Sequence, residues 1–367
     1  MVRPIENVAV LGAGLIGGSV GLGLRAAGTQ TVTGYDLDEG ALALGLARGA
    51  FTATADSVAA AVDGAGLVIL ATPVEAVGAV AAEVARVAPA DTVVTDVGSA
   101  KRHVVETCEA VLGARFVGGH PMAGSEQRGM PAASADLFED AWWILTPTAA
   151  TSSDAYRTAA LLAGTLRARP VALDPADHDR VLARLSHLPQ LAASALVWAA
   201  FASDEKESHL GLAAAGFRDV TRIAASDPGL WVGILEANRE AVLESLRGLQ
   251  DGLERIRRDL AEGDWGDLRE FLAAARSARL GLFGKPELHD VAVALSMPVL
   301  DRPGVLAEVT TAAGALGANI EDLRIVHSTE GGRGRLELIV AGEEPAAALA
   351  DALGGLGYRV ERDRIDT

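Results

Sequence analysis

Gly12-Ala13-Gly14-Leu15-Ile16-Gly17 follows the apolar run Val8–Leu11 and opens an amphipathic stretch, and no other feature of the chain constrains its fold so tightly. Three glycines at this spacing, between a strand and a helix, mark the first turn of a βαβ unit. Gly12 permits the tight turn, Gly14 lets the backbone approach a pyrophosphate, and Gly17 lets the helix pack closely on the strand. The N–H groups opening that helix, at Leu15 and Ile16, then face a phosphate with the positive end of the helix dipole. A glycine-rich turn without a ligand shows the same pattern. Here, however, a second strand, Thr31–Tyr35, ends at Asp36, where a carboxylate can bind both ribose hydroxyls and repel a 2′-phosphate. The expected cofactor is therefore NAD rather than NADP. Thr72-Pro73, after the run Leu67–Ala71, is either a strand-ending turn or the border of the nicotinamide half.

The rest of the first half extends that pattern. Further candidate strands, Thr92–Asp96, Arg115–Gly118 and Trp143–Thr146, alternate with Ala-rich amphipathic stretches. Strands alternating with helices imply a parallel, doubly wound sheet, which binds ligands beyond the carboxyl ends of its strands. The period changes near Asp174. From Pro175 to about Leu280 apolar residues recur at helical spacing, as in Leu182, Leu185 and Leu188, and Ser226-Asp227-Pro228 reads as a helix start. Long amphipathic helices of this kind bury their seam against a second copy, so a homodimer is expected. Phe283-Gly284-Lys285-Pro286 reads as a linker. Beyond it the order strand His289–Ser296, helix Pro303–Leu316, strand Asn319–His327, turn Glu330–Gly334, strand Arg335–Val340, helix Pro345–Leu356, strand Tyr358–Arg362 gives a βαββαβ, ferredoxin-like arrangement. The expected domains are a Rossmann domain over 1–172, an all-α substrate and dimerisation domain over 173–283, and a small α/β domain over 287–367.

Composition narrows the function. The 367 residues carry 32 basic and 49 acidic side chains, a net charge of −17, and such a field repels nucleic acid and anionic membrane alike. The single cysteine, Cys108, excludes an internal disulfide and fits a reducing compartment. A candidate strand following only Met1–Asn7 leaves no room for a signal peptide, and apolar stretches are broken well short of a membrane span. A cytoplasmic location is expected. No His, Cys and Asp cluster has metal-ligand spacing, so no metal is expected.

Two further segments fall at strand ends on the ligand side, Asp96-Val97-Gly98-Ser99-Ala100-Lys101 and Gly118-Gly119-His120-Pro121-Met122-Ala123-Gly124-Ser125-Glu126. His120, after two glycines and before a proline, is either a solvent-facing loop residue or a group for proton exchange near neutral pH. With these segments, Ser186-His187-Leu188-Pro189-Gln190 and Gly216-Phe217-Arg218-Asp219-Val220-Thr221-Arg222-Ile223-Ala224, the chain resembles the prephenate/arogenate dehydrogenase family over about residues 5–282. The C-terminal βαββαβ unit, with Asp301-Arg302-Pro303-Gly304-Val305-Leu306, resembles an ACT domain, a small amino-acid-sensing module.

The resemblance implies that NAD takes a hydride from C4 of prephenate while CO2 leaves C1, giving 4-hydroxyphenylpyruvate on the way to tyrosine. It makes His120 the acceptor or base for the C4 hydroxyl, with Ser99 bonding that hydroxyl or the imidazole, and Glu126 shaping the site's charge or substrate entry. Arg222 is then the substrate carboxylate clamp, paired with Asp219 one turn earlier. His187 and Trp231 line the pocket, with Pro189 kinking the helix between His187 and the possible substrate contact Gln190. In the ACT-like unit Asp301, Gly304, Asn319 and Ile320 would hold tyrosine or another aromatic amino acid as effector.

Each assignment has a plainer counterpart. Glu126 can be a loop carboxylate facing water, His187 a core histidine, the Asp219–Arg222 pair a structural ion pair, Trp231 a dimer-seam residue, and the C-terminal unit a stabilising appendage. The same chemistry on arogenate would yield tyrosine directly. A β-hydroxyacid dehydrogenase shares the layout but needs a lysine deep in the helical domain, where only Lys206, in a polar loop, is available. A non-enzymatic amino-acid sensor would have no need of Ser99, His120 and Arg222 together.

Overall fold

A computed structural model describes residues 5–124, 127–201, 215–283, 292–300, 304–327 and 333–365. They form two compact units, Met1–Asp251 and Gly252–Thr367.

The first unit is laid down as β1 (Asn7–Leu11), α1 (Leu15–Ala26), β2 (Thr31–Tyr35), α2 (Glu39–Ala47), β3 (Ala53–Thr54), α3 (Val58–Val62), β4 (Leu67–Leu70), α4 (Val74–Val87) and β5 (Val93–Asp96). It continues with α5 (Arg102–Leu112), β6 (Phe116–Pro121), β7 (Trp142–Thr146), α6 (Ser153–Thr165) and β8 (Arg169–Ala172). One sheet in the order β3-β2-β1-β4-β5-β6-β7-β8 joins the strands. Period-2 alternation feeds two cores. Val8, Val10, Leu67 and Ile69 pack on one face, and Ala9, Leu11, Val68 and Leu70 on the other. A sheet covered on both faces needs such near-continuous apolar strands.

The sheet is not wholly parallel. β7 runs antiparallel to β6, with Gly118 opposite Thr146 and Pro121 opposite Trp143. A parallel neighbour needs a crossover, and the described part of the β6–β7 connection contains only a short 3-10 turn, Met130–Ala132. β6 also runs on through Pro121, past the expected end at Gly118. Trp143 is buried against Phe138, whereas Trp142 is half exposed because the pleat turns it to the other side.

From Pro175 the chain is helical: α7 (Pro175–Leu182), α8 (Leu188–Phe201), α9 (Ala215–Thr221), α10 (Pro228–Ala237), α11 (Arg239–Glu262) and α12 (Trp265–Phe283). Asp174 caps α7 by accepting from Ala176 N and Asp177 N, and Asp227 caps α10 through Gly229 N and Leu230 N. In both, a proline holds the first helical position, where its missing N–H costs nothing. Between α7 and α8 the residues Ala183–His187 form a π-helical turn, with Leu188 N donating to Ala183 O. Pro189 has no N–H and its ring would strike the carbonyl four residues back. One wide turn absorbs that conflict, so the expected kink is a π-bulge in a continuing helix.

The second unit ends in β9 (Ala292–Leu300), α13 (Val305–Ala315), β10 (Ile320–His327), β11 (Arg333–Ala341), α14 (Glu343–Gly355) and β12 (Glu361–Ile365). Its antiparallel sheet, β10-β11-β9-β12, turns Val293, Leu295, Met297, Leu336 and Leu338 onto Val309 of α13 and Leu349 and Leu353 of α14. The expected linker at 284–286 and most of the expected turn at 330–334 lie outside the described residues. No helix among the described residues is long and apolar enough to cross a membrane.

Candidate active site

The turn after β1 is shaped as a dinucleotide fingerprint requires. Gly12 has φ +118°, and a Cβ there would lie 2.3 Å from the Ala71 carbonyl oxygen. A Cβ on Gly17 would lie 1.9 Å from Gly12 O, so the close helix–strand approach tolerates only glycine. Nothing lies within 4 Å of the equivalent position on Gly14. That open space adjoins the first N–H groups of α1, which no side chain caps. Asp36 follows β2, its carboxylate oriented by Ala13 N at 2.6 Å and Asp38 N at 2.9 Å. Each carboxylate oxygen keeps a lone pair for a hydroxyl. Beyond β4, the Thr72 hydroxyl is shielded from solvent without a hydrogen-bond partner among the described residues, and Pro73 caps α4. An orphaned hydroxyl, an uncapped helix start and an open glycine cradle on one sheet edge fit a dinucleotide.

His120 lies in β6 and is buried, which overturns the solvent-facing loop alternative. Its strand is braced from β5. Gly119 N donates to Asp96 Oδ1 at 3.0 Å, and the fully buried Lys101 joins Asp96 Oδ2 to Gly119 O. A buried ion pair is stable only when its remaining valences are met, and here Gly98 N also donates to Asp96. The pair thereby fixes the height of His120 against the loop Val97–Lys101.

The imidazole joins a buried chain of polar groups. His120 Nδ1 lies 2.8 Å from His178 Nε2, and His178 Nδ1 lies 2.7 Å from Asp179 Oδ1. Asp179 also accepts from Lys101 N at 2.8 Å and Arg102 N at 2.9 Å. Asn238, at the end of α10, donates through Nδ2 to Asp179 O at 2.8 Å and lies 3.2 Å from His187 Nδ1. The Trp231 ring meets His187 edge-on at 5.9 Å.

Burial pushes the pKa of His120 well below its ordinary 6.5, and His178, Lys101 and His187 push the same way. Burial also lowers His178, and takes His187 to about 4. For Asp179 burial alone would raise the pKa, but hydrogen bonds from His178 and from two backbone N–H groups hold it below the usual 3.8. Near neutral pH the network is therefore three neutral imidazoles beside one carboxylate.

Other expected residues fall differently. Ser99, half-buried in the loop after β5, has no hydrogen bond to the imidazole; His178 holds that place. Arg222 and Asp219 are exposed, and no ion pair joins them. α9 ends at Thr221 and a 3-10 turn begins at Arg222, so the helical spacing that would have paired them is broken. Gln190 is buried with an unpartnered Oε1. Glu126 and Asp301 lie outside the described residues. Gly304 precedes α13 with φ +96°, Asn319 is exposed and hydrogen-bonded to Glu321, and Ile320 opens β10.

Sequence reasoning missed His178, Asp179 and Asn238. The only signal was Asp177-His178-Asp179-Arg180, which reads as a solvated helix face. A cavity of about 920 Å3 between α4, α5, α7, α10 and α11 is lined by Asp179 and Asn238 but by neither His120 nor the Gly12 turn, so the site is placed on the histidine network and not in that cavity. The buried Cys108 thiol is pushed up to about 12, chiefly by burial, and is no nucleophile. Among the described residues no His, Cys, Asp and Glu group could hold a metal.

A Rossmann sheet whose dinucleotide turn and buried histidine share one edge, continued by a helical region that supplies the histidine's partners, defines a dehydrogenase-type oxidoreductase. The profile "Prephenate dehydrogenase, nucleotide-binding domain" matches residues 20–171, and "Prephenate dehydrogenase, dimerization domain" matches 174–274. The chain belongs to the prephenate dehydrogenase family. It is 34% identical to the prephenate dehydrogenase of Bacillus subtilis, over 91% of each chain. The crystal structure of prephenate dehydrogenase from Aquifex aeolicus, in complex with hydroxyphenyl propionate and NAD+, matches with TM-score 0.73 and 30% identity, covering 77% of this chain and all of that one. The Synechocystis arogenate dehydrogenase structure matches with TM-score 0.67 and 26% identity, covering 76% and 100%. The glycine turn precedes the matched profile, so its assignment stands on its own geometry.

Proposed function

We propose that the chain is an NAD-dependent prephenate dehydrogenase, converting prephenate to 4-hydroxyphenylpyruvate and CO2 in the cytoplasm. The observation that carries this is the buried, neutral His120 at the sheet edge that also carries a dinucleotide cradle. Gly12, Gly14, Leu15, Ile16 and Gly17 would hold the pyrophosphate, Asp36 the ribose hydroxyls, and Thr72 and Pro73 the nicotinamide edge. NAD, when bound, supplies the hydride acceptor at C4.

The protein's own part is positioning and proton transfer. Neutral His120 takes the C4 hydroxyl proton as the C4–H bonding pair departs and C4 becomes a carbonyl. The C1 carboxylate then leaves as CO2, its bonding pair enters the ring, and the proton returns from His120 to the phenolate oxygen. Ser99 assists at the hydroxyl, Glu126 sets the charge at the entrance, and Arg222 clamps a carboxylate, with Asp219 a further substrate contact not paired to it. His187, Gln190 and Trp231 wall the pocket. A homodimer formed through the helical region completes it.

The match to an arogenate dehydrogenase favours a second reading, the same chemistry on arogenate. We also propose the domain limits 1–172, 173–283 and 287–367, the last an ACT domain in which Asp301, Gly304, Asn319 and Ile320 bind an aromatic amino acid as feedback effector. The test is NADH formation at 340 nm with prephenate or arogenate, each with and without tyrosine. Turnover of prephenate supports the first reading and turnover of arogenate alone the second. Silence on both rejects the activity, and tyrosine without effect rejects it as the effector.

A further inference from the structure

His120 and His187 are tied to the same residue, Asp179, by its side chain in one case and its backbone carbonyl in the other. The carboxylate, ionised and fixed by Lys101 N and Arg102 N, can only accept. His178 must therefore place its proton on Nδ1, 2.7 Å away. A neutral His178 is left with a bare Nε2, and the contact at 2.8 Å is a hydrogen bond only if His120 carries its proton on Nδ1. His120 Nε2 is then the unprotonated atom. The Asp179 carbonyl likewise accepts only, so the Asn238 amide must turn its NH2 toward it, not its oxygen. The second amide hydrogen faces His187 Nδ1 at 3.2 Å, which must accept, so the His187 proton is on Nε2.

We propose that Asp179 gives the two site histidines opposite polarity: through His178 it makes His120 Nε2 an acceptor, and through Asn238 it makes His187 Nε2 a donor. His178 and Asn238 are positioning residues, since they act through the two rings. The assignment rests on the dehydrogenase reading, in which a hydroxyl proton needs an acceptor and a substrate oxygen needs a donor. One alternative would reverse half of it. A protonated His178 would donate from Nε2 and force the His120 proton onto Nε2. Asp96 and Asp179 face this cluster as negative charges and Lys101 as a positive one; Lys101 is matched to Asp96, leaving the Asp179 charge beside His178. Burial outweighs that attraction and keeps His178 neutral.

The test is a long-range 1H–15N correlation on the full chain labelled with 15N-histidine at pH 7, with assignment by loss of signals in His120→Asn and His187→Gln. The expected result is His120 protonated at Nδ1 alone and His187 at Nε2 alone. A His120 protonated at Nε2, or a His187 protonated at Nδ1, overturns the proposal. The kinetic counterpart is His178→Phe, which keeps a ring and removes both nitrogens. With NAD binding retained to show folding, kcat should fall about 100-fold while KM stays within about threefold, the scale of a mispositioned general base. A folded His178→Phe with wild-type kcat and an unchanged acid limb in its pH profile also overturns it. If the variant does not fold, the wild-type spectrum decides. A wild type inactive on prephenate and arogenate sinks the functional reading alone, because the tautomers are read without substrate.

Discussion

The eight-stranded sheet and the helices that follow it treat their apolar side chains in opposite ways. In the sheet both faces are closed: every residue of β4 is buried, and so are four of the five residues of β1. In α8 and α10 large apolar residues face outward, with Trp198 at 74% exposure, Leu230 at 60% and Val232 at 62%. Large apolar side chains left exposed on a helical region are the kind that an interface covers. One chain thus finishes the cofactor half and leaves the helical half open, as a dimerisation region would. The proposed site divides along the same line. His120, Asp36 and the Gly12 turn belong to the finished part, where each is pinned by hydrogen bonds. Arg222 and Asp219 belong to the open part and stand exposed.

The strongest way to break that contrast is His120→Asn. If the sheet half is self-sufficient, kcat falls by about 10²–10⁴-fold, the usual worth of a general base, while the NAD dissociation constant stays within about twofold by fluorescence titration. A parallel loss of NAD affinity would mean that the two functions of this edge are not separable. Trp198→Glu acts on the open half. If Trp198 anchors the proposed dimer, a charge there should weaken it by about 2–4 kcal/mol, roughly 30- to 1,000-fold. Sedimentation would read this as a shift to monomer, and NAD affinity should persist. A dimer as tight as the wild type would place the interface elsewhere.

The same contrast explains how much could be read in advance. Strand positions were legible because a sheet closed on both faces demands β-branched runs, and the Gly12 turn because its geometry admits only glycine. β3 is only two residues long, and β8, with Pro170 and exposed ends, carries no apolar pattern, so neither announced itself. The reversal of β7 depends on its connection, whose described part holds only a short 3-10 turn. His178 was illegible for a deeper reason. On α7 it stands among Asp177, Asp179 and Arg180 as on a solvated face, and it becomes a site residue only because α7 packs on the loop at Lys101 and on β6, 58 residues away. Asn238 gains its meaning in the same way, from Asp179 and His187.

Arg222→Gln probes whether the open half completes the site. Loss of a charge-assisted contact to a substrate carboxylate should raise the prephenate KM by about 10- to 150-fold, or 1.5–3 kcal/mol, with kcat little changed. An unchanged KM would remove Arg222 as the clamp. Combined with Trp198→Glu, the variant sharpens the comparison. If a partner copy orders Arg222, the two substitutions lose less together than the sum of their separate effects on KM.

The smallest effect concerns His187, which sits at the π-bulge where the two regions meet. Its folded pKa of about 4 lies below the ordinary 6.5, so between those values the unfolded chain binds a proton that the folded chain refuses. Stability from this group is therefore complete above about pH 6.5 and is lost as pH falls toward 4. At pH 5 the loss is about 2 kcal/mol. Thermal unfolding at pH 7 and pH 5 should show a larger drop for the wild type than for His187→Gln, which has no imidazole to protonate. Equal drops would mean that His187 is hydrated in solution, and that the open half extends inward as far as Asn238 and the edge of the proposed site.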